Sequence, residues 1–297
     1  MFFKNAEKTY LAHLDTQGVF NNTTKTAVPQ TVFAETVRNH FENPNGKTPK
    51  ALLIGFDGAR ADAMHLLCES ADEGVTGGLF DSAYSAVQAL KTQGGLYLSF
   101  AGGEPSAPQE TSTAQGWAAI LTGVWGTKNG VLRHVPIKTD CPTVLRELAG
   151  QGKKSAFLAE WPDHFTVTYK DEIEIAKREK LPLDYEKYAD DRALEAAFLE
   201  RIAGDTDCIF GIFEAPDYNG HATSFSLENP RYAACVCRLD NVAYRLLEAV
   251  RSRPTYNEED WLVMITSDHG GHDRRHGTQK PFDRMTFIAS NKPIESK

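Results

Sequence analysis

The chain has 297 residues, 41 % hydrophobic and 24 % charged, the balance of an ordinary globular protein rather than of a disordered, collagen-like or disulfide-held one. A chain of this size buries enough surface to fold without a metal or disulfide staple, so a metal would be there for chemistry. With 40 acidic against 32 basic side chains the net charge is −8, and no long Lys/Arg run offsets it, which excludes bulk nucleic acid and anionic membrane as partners.

From the N-terminus, residues 1–48 are polar and predict a helical extension. Lys4, Glu7 and Lys8 interrupt the apolar core that an export signal needs, so the expected location is cytoplasmic. Six short apolar runs follow: ALLIGF (51–56), GLYLSF (95–100), SAFLA (155–159), CIFGIF (208–213), WLVMIT (261–266) and MTFIA (285–289). Continuous apolarity marks strands buried on both faces, the habit of a parallel sheet. Helical spacing lies between them, as in Leu194, Ala197, Phe198 and Ile202, or Val236, Leu239, Ala243, Leu246 and Leu247. Strands alternating with helices predict an α/β fold with helices on both faces of a mostly parallel sheet. The charged stretch 160–188 reads as an insertion, and no linker or repeat divides the chain, so one domain over 1–297 is expected.

Three of the apolar runs end in acidic turns: Asp57-Gly58, Glu214-Ala215-Pro216-Asp217 and Ser267-Asp268-His269-Gly270. Ligands of open parallel sheets bind beyond the carboxyl ends of the strands. One such aspartate is an ordinary helix cap. Three at one edge would repel each other without a cation between them. His221 four residues after Asp217, His269 beside Asp268, and His276 shortly after supply nitrogen ligands, and this donor mix suits zinc, with manganese and iron as the other fitting metals. In Ser112-Thr113-Ala114-Gln115-Gly116-Trp117 a hydroxyl pair opens a helix-forming stretch that stops at Gly123. Ser112 or Thr113 would then sit at a helix N-terminus, where free N–H groups favour negative charge.

The motifs LLIGFDGAR (52–60), TAQGWAAILTG (113–123), APDYNGH (215–221), TSDHGG (266–271) and the His-Gly at 276–277 resemble, in this order, the alkaline phosphatase superfamily, and within it the phosphodiesterase/nucleotide pyrophosphatase branch. The resemblance implies an alkaline phosphatase-like three-layer sandwich with two divalent metal ions. Asp57, Thr113, Asp268 and His269 look like the ligands of one metal, and Asp217, His221 and His276 like those of the other. Thr113 corresponds to the nucleophile because it lies nine residues ahead of the Thr122-Gly123 pair; His276 is preferred to His272 because a glycine follows it.

The implied chemistry is an in-line displacement at phosphorus, through a phospho-threonine intermediate, on a small-molecule phosphate ester. Two divalent charges balance three aspartates and one alkoxide, and a neutral site favours a singly charged diester. Where this branch carries a phosphate-binding Asn, the chain has His134, and with Arg60 or Arg133 it would bind substrate and tilt the site toward dianions. A phosphomonoesterase and a phosphonate hydrolase are the enzymatic alternatives, and a non-catalytic metal-binding protein of the same fold is the alternative of another class. A sulfatase needs Cys or Ser in a C/S-x-P-x-R pattern, which Cys141-Pro142-Thr143 does not provide.

Overall fold

The computed structural model describes residues 27–72, 76–77 and 80–294. Eight strands join in one sheet: β1 (Val28–Pro29), β2 (Thr48–Phe56), β3 (Gly95–Phe100), β4 (Ser155–Ala159), β5 (Leu183–Lys187), β6 (Cys208–Phe213), β7 (Glu259–Thr266) and β8 (Met285–Ser290). Their spatial order is β1-β3-β8-β7-β2-β6-β4-β5, and every pair is parallel except the two made by β8. All six apolar runs are strands. The middle of the sheet is β2, flanked by β7 and β6, and alternate residues of β2 feed different cores: Leu52, Ile54 and Phe56 on one face, Ala51 and Leu53 on the other.

The helices Ala61–Asp72, Ala86–Gln93, Asp191–Ala203 and Pro230–Arg251 cover the first face. Val32–Glu42, Thr113–Thr122, Val144–Gly150 and Lys170–Glu179 cover the second. This is the expected three-layer arrangement. Each stripe of helical spacing is buried: Leu194, Phe198 and Ile202 on one helix, Leu239, Ala243 and Leu246 on another. Cys235 and Cys237 are both buried on the second of these, as free thiols.

Two stretches read from sequence as additions belong to the sheet and its cores. Of residues 1–48, 1–26 lie outside the described residues; the remainder supplies β1 and a helix whose Phe33, Ala34, Val37 and Phe41 are buried. Within 160–188, residues Lys170–Glu179 form a helix and β5 pairs in parallel with β4 at the sheet edge. Among the described residues, no helix is long and apolar enough to cross a membrane.

The helix Thr113–Thr122 sits unusually close to the sheet. A Cβ at Gly55 would lie 2.4 Å from the Trp117 ring, and one at Gly116 would lie 2.6 Å from the carbonyl oxygen of Asp268. Both glycines are therefore needed for close approach rather than for turning. Trp117 is fully buried and its helix ends at Gly123, whose φ of +76° suits the C-terminal cap.

Candidate active site

The parallel sheet delivers its acidic turns to one edge. Asp57 follows β2 and Asp268 follows β7, adjacent strands whose register pairs Ile265 with Ile54 and Thr266 with Gly55. Asp217 lies in the helix Ala215–Ala222 that starts just after β6, on the other side of β2. Thr113 opens its helix, with Ser112 in extended backbone just before it.

Seven side chains meet there in two groups. In the deeper group, His269 Nε2 lies 3.2 Å from Asp268 Oδ2, 3.6 Å from Asp57 Oδ1 and 3.3 Å from the Thr113 hydroxyl. Asp57, Asp268 and His269 are all fully buried. In the shallower group, His221 Nε2 lies 3.4 Å from Asp217 Oδ2, His276 Nε2 lies 3.6 Å from Asp217 Oδ1, and the two Nε2 atoms are 3.1 Å apart. The His269 and His276 rings stack at 3.9 Å between centroids and join the groups.

The hydrogen bonding of these residues fits a pair of cations. Each histidine donates its Nδ1–H to a main-chain carbonyl: His269 to Gly270, His276 to Thr111 and His221 to Arg274. That leaves three Nε2 lone pairs facing one another and the carboxylates, the way metal-binding histidines are oriented from behind. Acceptors face acceptors. Asp57 Oδ1, Asp217 Oδ1 and Asp268 Oδ2 are buried without a hydrogen-bond donor, and leaving such groups unpaired is costly. The other oxygens are held from the protein side, Asp57 Oδ2 by the Trp117 indole N–H at 2.8 Å and Asp268 Oδ1 by the Gly58 N–H at 3.2 Å.

Electrostatics agree. Burial, with the charges of Glu214 and Asp217, pushes the Asp57 carboxyl well above the usual range. Burial and the Asp57 charge do the same to Asp268. Burial raises Asp217 against the pull of His276 and His221. Burial, with His276 nearby, drives His269 well below the ordinary imidazole value, so its lone pair is free at neutral pH.

A cavity of about 390 Å³ opens above Thr113, lined also by Glu110, Gln115, Arg133, His134, Trp161, Glu214, Tyr218 and the shallower group. His134 stacks flat on Trp161, 5.1 Å between centroids. Arg60 corrects the expectation that it binds substrate. It is buried, its guanidinium is held by the carboxylate of Asp62 and the carbonyl of Phe225, and it covers the Phe282 ring, so it does not line the cavity. His272, the alternative to His276, points elsewhere, donating to Asp283 at 2.6 Å.

Sequence reasoning missed a third group, Asp57, His164 and Glu214, which shares Asp57 with the deeper one. His164 Nε2 lies 3.4 Å from Glu214 Oε1, and neither ring nitrogen has a hydrogen-bond partner. Burial lowers His164 to about 3, and burial with the charge of Asp217 pushes the Glu214 carboxyl well up. Glu214 was visible as the acidic end of β6, but nothing in the spacing announced His164, which comes from a π-helical turn at His164–Thr168 some 50 residues earlier.

The family model for type I phosphodiesterase / nucleotide pyrophosphatase matches residues 134–285, just over half of the chain, including Asp217, His221, Asp268, His269 and His276 but not Asp57 or Thr113. No curated protein matches the chain significantly. Among solved structures, a candidate sulfatase from Bacteroides thetaiotaomicron is 10 % identical with a TM-score of 0.56, over 84 % of this chain and 67 % of that one. The 2-O GAG sulfatase BT1596 is 11 % identical with a TM-score of 0.52, over 84 % and 66 %. The alkaline phosphatase of the Antarctic bacterium TAB5 is 14 % identical with a TM-score of 0.49, over 82 % and 91 %. The chain thus spans about two thirds of the length of the two sulfatases, and at these identities the likeness is one of fold.

Proposed function

The chain belongs to the type I phosphodiesterase / nucleotide pyrophosphatase family, within the alkaline phosphatase superfamily of phosphoryl and sulfate ester hydrolases, and on that premise we propose that it hydrolyses phosphate diesters with Thr113 as nucleophile. Asp57, Asp268, His269 and Thr113 would hold one divalent cation and Asp217, His221 and His276 a second, with zinc the best match to this donor set. When bound, such a pair lowers the pKa of the hydroxyl and neutralises the charge that builds on the phosphoryl oxygens.

The protein groups do the rest. The Thr113 hydroxyl releases its proton to solvent and its oxygen attacks phosphorus while the bond to the leaving group breaks, and the leaving alkoxide takes a proton from solvent. Water then attacks the phospho-threonine, releasing the phosphoryl group and restoring the hydroxyl. The first-turn N–H groups of the helix Thr113–Thr122 lack intrahelical acceptors and face the developing negative charge. His134, steadied by Trp161, and Arg133 line the cavity mouth and donate to phosphoryl oxygens. Sulfate esters are disfavoured because Ser112-Thr113-Ala114-Gln115-Gly116 lacks the Pro and Arg of the sulfatase pattern.

One observation carries the proposal: the Thr113 hydroxyl lies 3.3 Å from a histidine nitrogen whose other nitrogen is already bonded, among carboxylate oxygens with no donor. A second reading, a phosphomonoesterase, draws on Arg133 and His134 together, two groups able to complement a dianion. The chain loaded with zinc or manganese is assayed on bis-p-nitrophenyl phosphate, p-nitrophenyl phosphate and p-nitrophenyl sulfate. We expect diester turnover to exceed monoester turnover and sulfate to be inert. Thr113→Ala should lower kcat by at least about 10⁴-fold with both metals still bound. Absence of metal-dependent turnover on every ester would make the chain a metal-binding protein, and an active Thr113→Ala would remove the nucleophile.

A further inference from the structure

Between His269 and the short helix Pro281–Arg284 the chain makes an exposed excursion that carries His276. Its turn includes Asp273 in left-handed backbone at φ +50°, closed by an isolated bridge between His272 and Arg275. Asp273, Arg274 and Arg275 are all exposed. Such a segment needs anchors at its feet if a side chain near its end is to hold a fixed position.

Several residues hold it, among them Thr111 by a bond to Thr278 and Gln109 by a bond from Gln279, and one buried residue bonds both feet at once. The main-chain oxygen of Asp283 accepts the N–H of Gly270, the residue after His269, at 2.9 Å. Its Oδ1 accepts the His272 Nδ1–H at 2.6 Å, and its Oδ2 accepts both the N–H of Thr278 at 2.9 Å and the Thr278 hydroxyl at 2.6 Å. Asp283 is fully buried, and its carboxylate takes donors from both feet of the excursion. Lys280 donates to the remaining nitrogen of His272 at 3.1 Å, so His272 has no free lone pair and acts as part of the anchor. From the other side Thr111 grips the tip, accepting from His276 Nδ1 at 2.9 Å and from the Gly277 N–H at 3.1 Å.

We infer that Asp283 is a positioning residue for the shallower cation site, a carboxylate clasp that sets where His276 Nε2 stands relative to Asp217 and His221. The inference rests on the metal-site reading above. Thr111 orients the ring and holds the backbone just after it, at Gly277 and Thr278, while Asp283 ties together the two feet of the excursion. An amide in place of the carboxylate cannot accept from both feet, because its NH₂ would face a donor on one side.

The test is zinc binding by the full chain, measured by competition against a chromophoric chelator, with far-UV circular dichroism and melting as fold controls. The parent chain should bind two equivalents. Asp283→Asn should weaken one of them by up to about 10-fold, the low end for groups bonded directly behind a metal ligand because it acts through the backbone, and leave the other unchanged. His276→Ala should lose that same equivalent, and the Asp283→Asn/His276→Ala pair should lose no more than His276→Ala alone. Thr278→Val, which removes one donor and keeps the shape, should give a smaller loss at the same site, and it carries the test if Asp283→Asn fails to fold. No zinc bound by the parent chain would overturn the metal site itself. Two undisturbed equivalents in the Asp283 or Thr278 variants, or losses that spread over both sites and add to that of His276→Ala, would overturn the clasp while leaving the metal site standing.

Discussion

The deeper and shallower halves of the candidate site are built on different principles. Asp57 and Asp268 leave the ends of neighbouring strands in fixed register, fully buried, and Trp117 and Gly58 hold them from behind. Asp217 and His221 share a short helix, the His221 side chain is 45 % exposed, and His276 arrives from a loop. The deeper geometry is therefore a by-product of forming the sheet, whereas the shallower one depends on anchors that could fail locally. One half should bind its cation rigidly and release it slowly, and the other should exchange it.

The sharpest way to break that contrast is to remove one ligand from each half. Asp268→Asn should weaken zinc binding at the deeper position, and His221→Ala at the shallower position only, each by more than the roughly 10–100-fold typical of a group behind a ligand, with the deeper loss the larger. Calorimetric titration would separate the two, and loss of the same equivalent in both variants would erase the distinction. An intermediate effect should appear with pH. The Asp57, Asp268 and Asp217 carboxyls have folded values raised above their unfolded ones, so in that window the folded chain binds more protons and its stability falls as pH rises. His269, lowered by burial, works the other way, but only below about pH 6.5, where the unfolded imidazole titrates. From the ordinary carboxylate range upward, until the folded carboxyls have ionised, the metal-free chain should melt at lower temperature as pH rises, and added zinc should cancel the trend. A flat profile in thermal melts without metal would mean the carboxylates are not confined together. The smallest effect is expected from Trp117→Phe, which removes the indole N–H from Asp57: urea unfolding should show a loss of about 1–3 kcal/mol, with the shallower zinc untouched.

Legibility in the sequence followed burial. Runs such as 208–213 declared themselves because both faces of the strand are covered, so every residue is apolar. Strand β5, Leu-Asp-Tyr-Glu-Lys, escaped notice because it lies at the sheet edge and buries little beyond Leu183. The acidic turns were legible for a related reason, since a parallel sheet sends all its strand ends to one side. What could not be read was capture by a neighbour. Arg60 stands close to Asp57 in the chain, yet Asp62, two residues on, takes its guanidinium. A following glycine set His276 apart from His272 in sequence, but the physical reason lay out of reach: the carboxylate of Asp283 captures His272 and leaves His276 free to face Asp217. His164 reached Glu214 through a fold that no local spacing encodes.

The two glycines under the helix Thr113–Thr122 have a last consequence. Because Gly55 admits the Trp117 ring and Gly116 admits the main chain of Asp268, the standoff between helix and sheet is set at two contacts where one partner offers bare backbone and no Cβ. A single methyl at either glycine would wedge the helix outward and spoil the reach of the threonine oxygen at once.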